Sequence, residues 1–477
     1  LFALRTRPPR GAFFLGWLCG LAYFIGTVSW LAYTMAEYGK LPWAISIILM
    51  VVLVSYLALY VGLFSALLRW LAPEDEGRLL FFAPALWVVL EYAKGHLLSG
   101  FPWASLAYSQ YRLLPMIQIA DIGSIYAVGF AIVLANVGIY LSLRAALETH
   151  RMTWPPFLVA AVIVIATFGY GKFRMAQSLE AEESITLAVI QGNIPQHQKW
   201  NRAFQDRTVA QYTRLSLSAL ENEKGERPEL IVWPEAALPF IYEAEDEYQE
   251  TLAAWVREQG FDLLVGAPSI HAGPSGKVSL LNSAYLISAA GGIGPRYDKM
   301  HLVPFGEYVP FPRLLFFVKK LVSGIADFIP GQGPILMESQ GARIGTVICF
   351  EVVFPDLVRH FVKAGAQAMT TITNDGWFGP SAAPAQHFAM VTFRAIENRV
   401  PFARAANSGI SGFIDPWGRI LYQTTMDVEA VATRRLRLGK GPSFYTRHGD
   451  VFVLLCAIIV LLFLSATYIK RRKSHGV

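Results

Sequence analysis

The chain has 477 residues, 54% of them hydrophobic and 16% charged, with a formal net charge of +6. It is too long for one ordinary core and too apolar for a soluble enzyme, which points to a membrane protein of two or three domains. The positive balance does not mark a nucleic-acid partner, because the basic residues form no concentrated patch and accompany no nucleic-acid motif.

The chain opens on Leu1 rather than Met and enters an apolar run almost at once, so further residues are expected ahead of it. Apolar runs cover about Ala12–Met35, Pro42–Leu71, Leu79–Leu98, Ile117–Leu147, Pro155–Tyr170 and Val451–Ile469. Each is near or above the ~20 residues a helix needs to cross a bilayer, so six spans are expected. The aromatic loop Gly100–Gln110 fits a membrane interface. Arg5, Arg7, Arg10, Arg69, Arg78, Arg144, Arg151 and the basic run Lys470–Lys473 all fall on one side of six spans. The positive-inside rule makes that side cytoplasmic. The long segment between the fifth and sixth spans then faces outward, into the periplasm of a bacterium with two membranes.

That segment, 178–443, lies between a membrane domain (1–177) and a last span with its tail (444–477). Here charges appear and short β-branched runs alternate with helical patterns. Strands are expected at Ile185–Gln191, Glu229–Trp233, Leu263–Ala267, Ala284–Ser288, Arg343–Cys349 and Ala368–Thr373. Helices are expected at Phe204–Asn222, Tyr248–Gln259, Phe354–Ala364 and His387–Asn398. The alternation implies an α/β layered domain.

Of three cysteines, Cys19 and Cys456 lie in apolar runs as small hydrophobes, and only Cys349 lies in the polar segment. It ends the run GTVICFE (345–351). Glu235 closes IVWPE (231–235), and Lys299 sits in YDKMHLVPFGEYVP (297–310). Alone, a strand-end cysteine is more often packing, a carboxylate after a Pro turn is more often surface, and a lysine is usually solvated. Strand ends of an α/β sheet, however, point into the crevice where ligands bind. Together the three supply a nucleophilic thiol, a base to take its proton, and a fixed cation for thiolate and oxyanion. Glu307 stands in a Gly- and Pro-flanked turn that would aim one carboxylate. Glu351, two residues after the thiol, is expected on the same side of an extended segment. The NDGWFG run (374–379) is expected to form a pocket wall. His301 and His387 lack partners at metal-ligand spacing, and no glycine-rich nucleotide loop follows a strand, so no metal or cofactor is expected.

At these residues the chain resembles the nitrilase superfamily of carbon-nitrogen hydrolases, and with its membrane body the apolipoprotein N-acyltransferase branch. QGNIPQ (191–196) with Lys199 and Trp200, GFPW (100–103), NDGWFG and the stretch from Gln386 to Arg404 also look like that family. The resemblance implies a multi-span α-helical membrane domain plus a periplasmic α/β domain, a nitrilase-like αββα sandwich, on the bacterial inner membrane, and two further spans ahead of Leu1. It implies a ping-pong reaction without a cofactor. Cys349 would take an acyl chain from a phospholipid, typically phosphatidylethanolamine, and pass it as a thioester to the N-terminal amine of a diacylated apolipoprotein. A monomer is expected. Glu235 would be the base and Lys299 the oxyanion stabiliser, with Glu307, Glu351 and Phe350 assisting. Phe350 stands where that family commonly has Tyr. Trp200, Asn282 and Trp377 would bind substrate or gate its entry. A pocket above several spans would receive both lipidated substrates laterally, and apolar walls with Phe305 and Phe378 would keep water from the thioester. Two rival readings are a membrane-tethered amidase or nitrilase acting on a small amide, and a transporter or structural membrane protein with a decayed outer domain. Few charges within the spans and an intact Glu-Lys-Cys set count against the second.

Overall fold

The computed structural model describes residues 1–71, 78–150, 153–177, 183–221, 226–273, 278–290, 292–309, 328–439 and 441–474. Arg151, Ser178, Asn222 and Pro310, named in the expectations above, lie outside them. The chain divides into two compact units: residues 1–32, 44–177 and 447–477, and residues 33–43 and 178–446.

The first unit is helical: α1 (Pro9–Val28), the first turn of α2 (Trp30–Glu37, whose residues from 33 on belong to the second unit), α3 (Trp43–Leu71), α4 (Leu79–His96), α5 (Leu114–Ile117), α6 (Ala120–Thr149), α7 (Trp154–Ala176) and, at its far end, α14 (Val451–Ser474). Among the described residues five helices are long and apolar enough to cross a membrane, at Pro9–Val28, Trp43–Leu71, Ala120–Glu148, Trp154–Ala176 and Val451–Ile469. The run expected as a third span becomes α4, which carries Glu91 and Lys94 and is not among the five. The first expected span is split: α1 ends at Val28, and residues 33–43 cluster with the other unit. Small residues let α1 and α3 approach closely, since a Cβ on Gly20 would stand 2.9 Å from Ala58 Cα. The buried Asp121 is paired: it accepts from Tyr170 Oη at 2.8 Å and pairs with Arg174 at 3.0 Å. In the aromatic loop Trp103 and Tyr108 are buried.

The second unit holds two six-stranded sheets. One has the order β12–β1–β2–β3–β4–β5, built from β1 (Ser184–Gln191), β2 (Leu230–Val232), β3 (Asp262–Ala272), β4 (Val278–Ser288), β5 (Gly292–Asp298) and β12 (Ala430–Arg437). The other has the order β11–β10–β9–β8–β7–β6, from β6 (Leu336–Ser339), β7 (Ala342–Ile348), β8 (Ala368–Thr373), β9 (Phe402–Ala406), β10 (Gly412–Ile414) and β11 (Ile420–Gln423). Each sheet has a parallel centre, β1–β2–β3 and β7–β8–β9, flanked by antiparallel strands. The sheets meet face to face through β1 with β9 and β4 with β7. Helices α9 (Gln205–Leu220) and α10 (Asp246–Gln259) cover the first sheet, and α11 (Pro355–Lys363) and α12 (Ala383–Asn398) the second. The result is an αββα sandwich. Two short helices, α8 (Gln196–Lys199) and α13 (Phe444–His448), complete the unit.

The chemistry of the sequence explains these choices. β1 and β8 are buried along nearly their whole length, covered on both faces as continuous apolar runs require. α10 stops at Gly260, whose left-handed φ of +69° is that of a helix C′ glycine. Pro355 begins α11, where a missing N–H costs no helical bond. A core of Ile190, Tyr212, Ile231, Trp233, Val265 and Tyr285 packs against the face covered by α9 and α10.

Candidate active site

Glu235, Lys299 and Cys349 each follow a strand, β2, β5 and β7, on short excursions from the sheet. Glu235 lies three residues past the end of β2, in a turn where Ala236 has φ +47°. The turn is anchored by Trp233, which is fully buried, stacks on Tyr212 at 5.1 Å and donates its indole N–H to Ser216 Oγ at 2.8 Å. β3 passes so close that a Cβ on Gly266 would sit 2.8 Å from Glu235 Cα, so glycine is required there. Glu235 Oε1 accepts from Asn282 Nδ2 at 2.8 Å and Oε2 from the Asn374 N–H at 2.9 Å.

Lys299 is buried, and its Nζ donates to Glu307 Oε1 at 2.9 Å and lies 3.7 Å from Glu235 Oε1. Asn282, on β4, joins the two carboxylates: its Nδ2 also donates to Glu307 Oε1 at 2.9 Å, and its carbonyl holds the Lys299 N–H at 2.8 Å. Glu307 Oε2 accepts the Val303 N–H at 2.7 Å, closing its own turn. Burial alone would push the Lys299 ammonium down, but Glu307 and then Glu235 hold it above its ordinary range. It therefore stays charged.

Two expectations for the cysteine segment are corrected. β7 ends at Ile348, and Cys349 opens a tight 3-10 turn (Cys349–Val353) with a left-handed φ of +54°. The thiol thus stands on an elbow, a strained backbone that the surrounding bonds must maintain. Because the chain turns there, Glu351 does not share an extended face with the thiol. It folds back beneath the elbow: Oε2 accepts the Ile348 N–H at 2.7 Å, and Oε1 accepts Tyr297 Oη and the N–H groups of Met300 and His301 at 2.7–3.1 Å. Glu351 is thereby the clasp between the cysteine turn and the lysine loop. Phe350 packs on Phe354 at 5.2 Å, with His301 beside both rings.

A second buried cluster supports the elbow from behind. His387 Nε2 lies 3.1 Å from the Cys349 carbonyl and Nδ1 3.1 Å from Asp375 Oδ1, while Arg404 donates to Asp375 Oδ2 at 2.7 Å. Burial works against the Asp375 charge, but Arg404 holds that carboxyl below the usual range. Burial and then Arg404 lower the His387 pKa, and its two ring nitrogens span Asp375 and the cysteine carbonyl. In the sequence His387 has no partner at metal-ligand spacing and is otherwise legible only within the family-like stretch from Gln386 to Arg404. Lys199 was passed over similarly: it is fully buried and donates to the Glu235 carbonyl at 2.8 Å.

The resting thiol is protonated. Burial, reinforced by the Glu235 charge and opposed by Lys299, pushes the Cys349 pKa up to about 12. Such a thiol needs a base at the moment of attack rather than a standing thiolate. Trp200, Phe305 and Trp377 are exposed, at 51%, 49% and 38%, and present apolar surface. Trp377 is held by Thr34, which donates to its carbonyl at 3.0 Å, and by the Tyr38 ring at 5.5 Å. Among the described residues no group of three His, Cys, Asp or Glu side chains is placed to hold a metal ion.

Comparison with known proteins matches residues 1–138 to the apolipoprotein N-acyltransferase N-terminal domain and residues 186–441 to carbon-nitrogen hydrolase. The apolipoprotein N-acyltransferase of Geobacter metallireducens is 44% identical over 478 residues, covering 100% of this chain and 90% of that protein. The enzyme of the same name from Methylococcus capsulatus is 33% identical over 467 residues, covering 96% and 88%. Among solved structures, a mutant amidase from Nesterenkonia sp. AN1, covalently modified at its active-site cysteine, is 19% identical with a TM-score of 0.42, covering 58% of this chain and 98% of that one.

Proposed function

We propose that this chain, which belongs to the apolipoprotein N-acyltransferase family, moves a fatty acyl chain from a phospholipid to the N-terminal amine of a diacylated apolipoprotein by way of a thioester on Cys349. The observation that carries this reading is the coupling of the base, the cation and the thiol at strand ends of the two facing sheets, with Asn282 bridging the two carboxylates that flank Lys299.

In the first half-reaction Glu235 takes the Sγ proton as sulfur attacks the ester carbonyl. The tetrahedral oxyanion is met by the Lys299 ammonium and by backbone N–H groups just after Cys349. Collapse breaks the C–O bond, and Glu235 returns its proton to the leaving alkoxide, releasing lysophospholipid and leaving the thioester. In the second half the acceptor amine attacks that thioester. Glu235 takes a proton from the nitrogen, the C–S bond breaks, and the sulfur is reprotonated as the amide leaves. Glu307 and Asn282 keep Lys299 aimed. Trp200, Phe305 and Trp377 supply apolar surface for the acyl chain and keep water from the thioester.

Phosphatidylethanolamine is the donor we assign, the bacterial inner membrane the location, the periplasm the side of the sandwich, and a monomer the working unit. The relatives and the N-terminal domain match favour acyl transfer over release of ammonia from a small amide. The test is to incubate the full-length natural protein with phosphatidylethanolamine and measure peptide masses. An acyl adduct on Cys349, absent in Glu235→Gln and cleared by a diacylglyceryl-cysteine peptide, is the expected result. A folded protein that never acquires the adduct would overturn the thioester route.

A further inference from the structure

We propose that Lys199 is a positioning residue of this site, a second ammonium that fixes the main chain of Glu235 and, with Lys299, balances the two carboxylates beside the thiol. The proposal rests on the roles given above to Glu235 and Cys349.

Lysine is rarely buried completely unless it is paired. Lys199 is 1% exposed, at the end of α8, and among the described residues its hydrogen bond is the one to the Glu235 carbonyl, at 2.8 Å. A carbonyl is a dipole and does not neutralise an ammonium. The groups that favour its charge are the Glu235 carboxylate and the Cys349 sulfur. Burial lowers its pKa to about 8 against those two, so the ammonium is charged at pH 7.

Charge bookkeeping at the site gives this cation a purpose. Lys299 serves two carboxylates at once, Glu307 at 2.9 Å and Glu235 at 3.7 Å. One ammonium between two carboxylates leaves an excess negative charge where the thiol must ionise, and a like charge opposes ionisation. The other charged or titratable neighbours do not correct the excess. Asp375 is paired with Arg404, Glu351 is turned beneath the elbow, burial keeps His301 neutral, and burial and Arg404 both disfavour a charge on His387. Lys199 supplies the missing positive charge. Its segment is tied to the base a second time: Asn374 Nδ2 donates to Gln196 Oε1 at 2.8 Å, and the Asn374 N–H donates to Glu235 Oε2. The residue that follows is the exposed Trp200, so the aromatic expected to guard lipid entry and the cation that steadies the base share one short stretch of chain.

The test compares Lys199→Met and Lys199→Arg in the full-length natural protein at pH 7. Two rates are measured by peptide mass: alkylation of Cys349 by iodoacetamide, and acylation of Cys349 by phosphatidylethanolamine. A thiol made harder to ionise by one pKa unit reacts about tenfold more slowly, which is the loss expected in Lys199→Met. Lys199→Arg is expected to recover most of both rates, and the KM for phospholipid to stay within about twofold while kcat falls. Wild-type alkylation in Lys199→Met, or an Arg variant as slow as the Met variant, would overturn the proposal, the latter by showing that lysine's shape rather than its charge is needed. Should Lys199→Met not fold, Lys199→Gln keeps a hydrogen-bond donor without the charge and carries the same comparison. Alkylation needs no acyl donor. A protein whose alkylation follows this pattern but which never acylates would therefore count against acyl transfer while supporting the charge role of Lys199.

Discussion

Asp375, His387 and Arg404 form one buried ionic cluster of the sandwich, and Glu235, Lys299 and Glu307 form another; the two differ in balance and in access. The first pairs one carboxylate with one guanidinium, and all its side chains are closed to solvent. The second sets two carboxylates on one lysine ammonium, and its Glu235 and Glu307 side chains retain 10% and 12% exposure. A balanced, closed cluster has no reason to exchange protons, and it holds the Cys349 carbonyl through His387. A partly open one, whose two carboxylates share Lys299 directly and draw the rest of their countercharge from Lys199 nearby, is poised to move them. Both are buried charge, but the first holds the Cys349 backbone, and the second, on the proposed reading, acts on its thiol.

The comparison breaks most sharply at Glu235. Glu235→Gln removes the base, and acylation of Cys349 should fall by about 10²–10⁴-fold, followed by adduct mass. The same change also removes a negative charge that raises the thiol pKa. Alkylation of Cys349 above pH 9 should therefore become faster as acylation is lost, a split that a merely misfolded site would not give.

Asp375→Asn tests the closed cluster, where the readout is stability. Leaving Arg404 buried without its anion should cost about 3–5 kcal/mol, measured by thermal unfolding of the full-length protein in detergent. The double variant Asp375→Asn with Arg404→Met should lose less than the sum of the two single changes, because the pair is one interaction.

Asn282→Ala sharpens the contrast at smaller scale. It removes the amide shared by Glu235 and Glu307 and should slow acylation roughly tenfold, with one or two lost hydrogen bonds to charged groups as the cause. Its melting temperature should change less than that of Asp375→Asn.

The smallest effect expected is a pH dependence at His301. Burial, then the Lys299 charge, lowers its pKa from 6.5 to about 4. Between those values the unfolded chain binds a proton that the folded chain does not. The contribution to stability is therefore whole above pH 6.5 and is lost as the pH falls toward 4. His301→Gln should flatten that acid limb, followed as melting temperature between pH 6.5 and 4.

Much of the fold was legible because its strands are short apolar runs bounded by turns. β1, β2 and β8 match their expected runs to within a residue or two, and α9 and α10 follow amphipathic patterns. β5, β6 and β9 to β12 were not expected. β12 carries Arg434, Arg435 and Arg437 near its end and pairs antiparallel with β1, which its sequence alone does not announce. α4 was read as a span from its length, while Glu91 and Lys94 set it apart from the five apolar helices.

The amino-acid sequence by itself determined that an α/β unit is carried on apolar helices, and that a carboxylate, an ammonium and a thiol stand in three motif runs near strand ends. Those properties reside in local composition and spacing, which the sequence states directly. Only the tertiary structure decided that Cys349 sits on a left-handed elbow, that Glu351 turns under it, that Asn282 bridges two carboxylates, and that Lys199 and the Asp375–His387–Arg404 cluster are buried beside the motifs. These relations join residues tens to more than a hundred positions apart. Their physical basis is burial: a polar group removed from water must find its partner wherever the packed sheets bring one, and periodicity along the chain carries no record of that meeting.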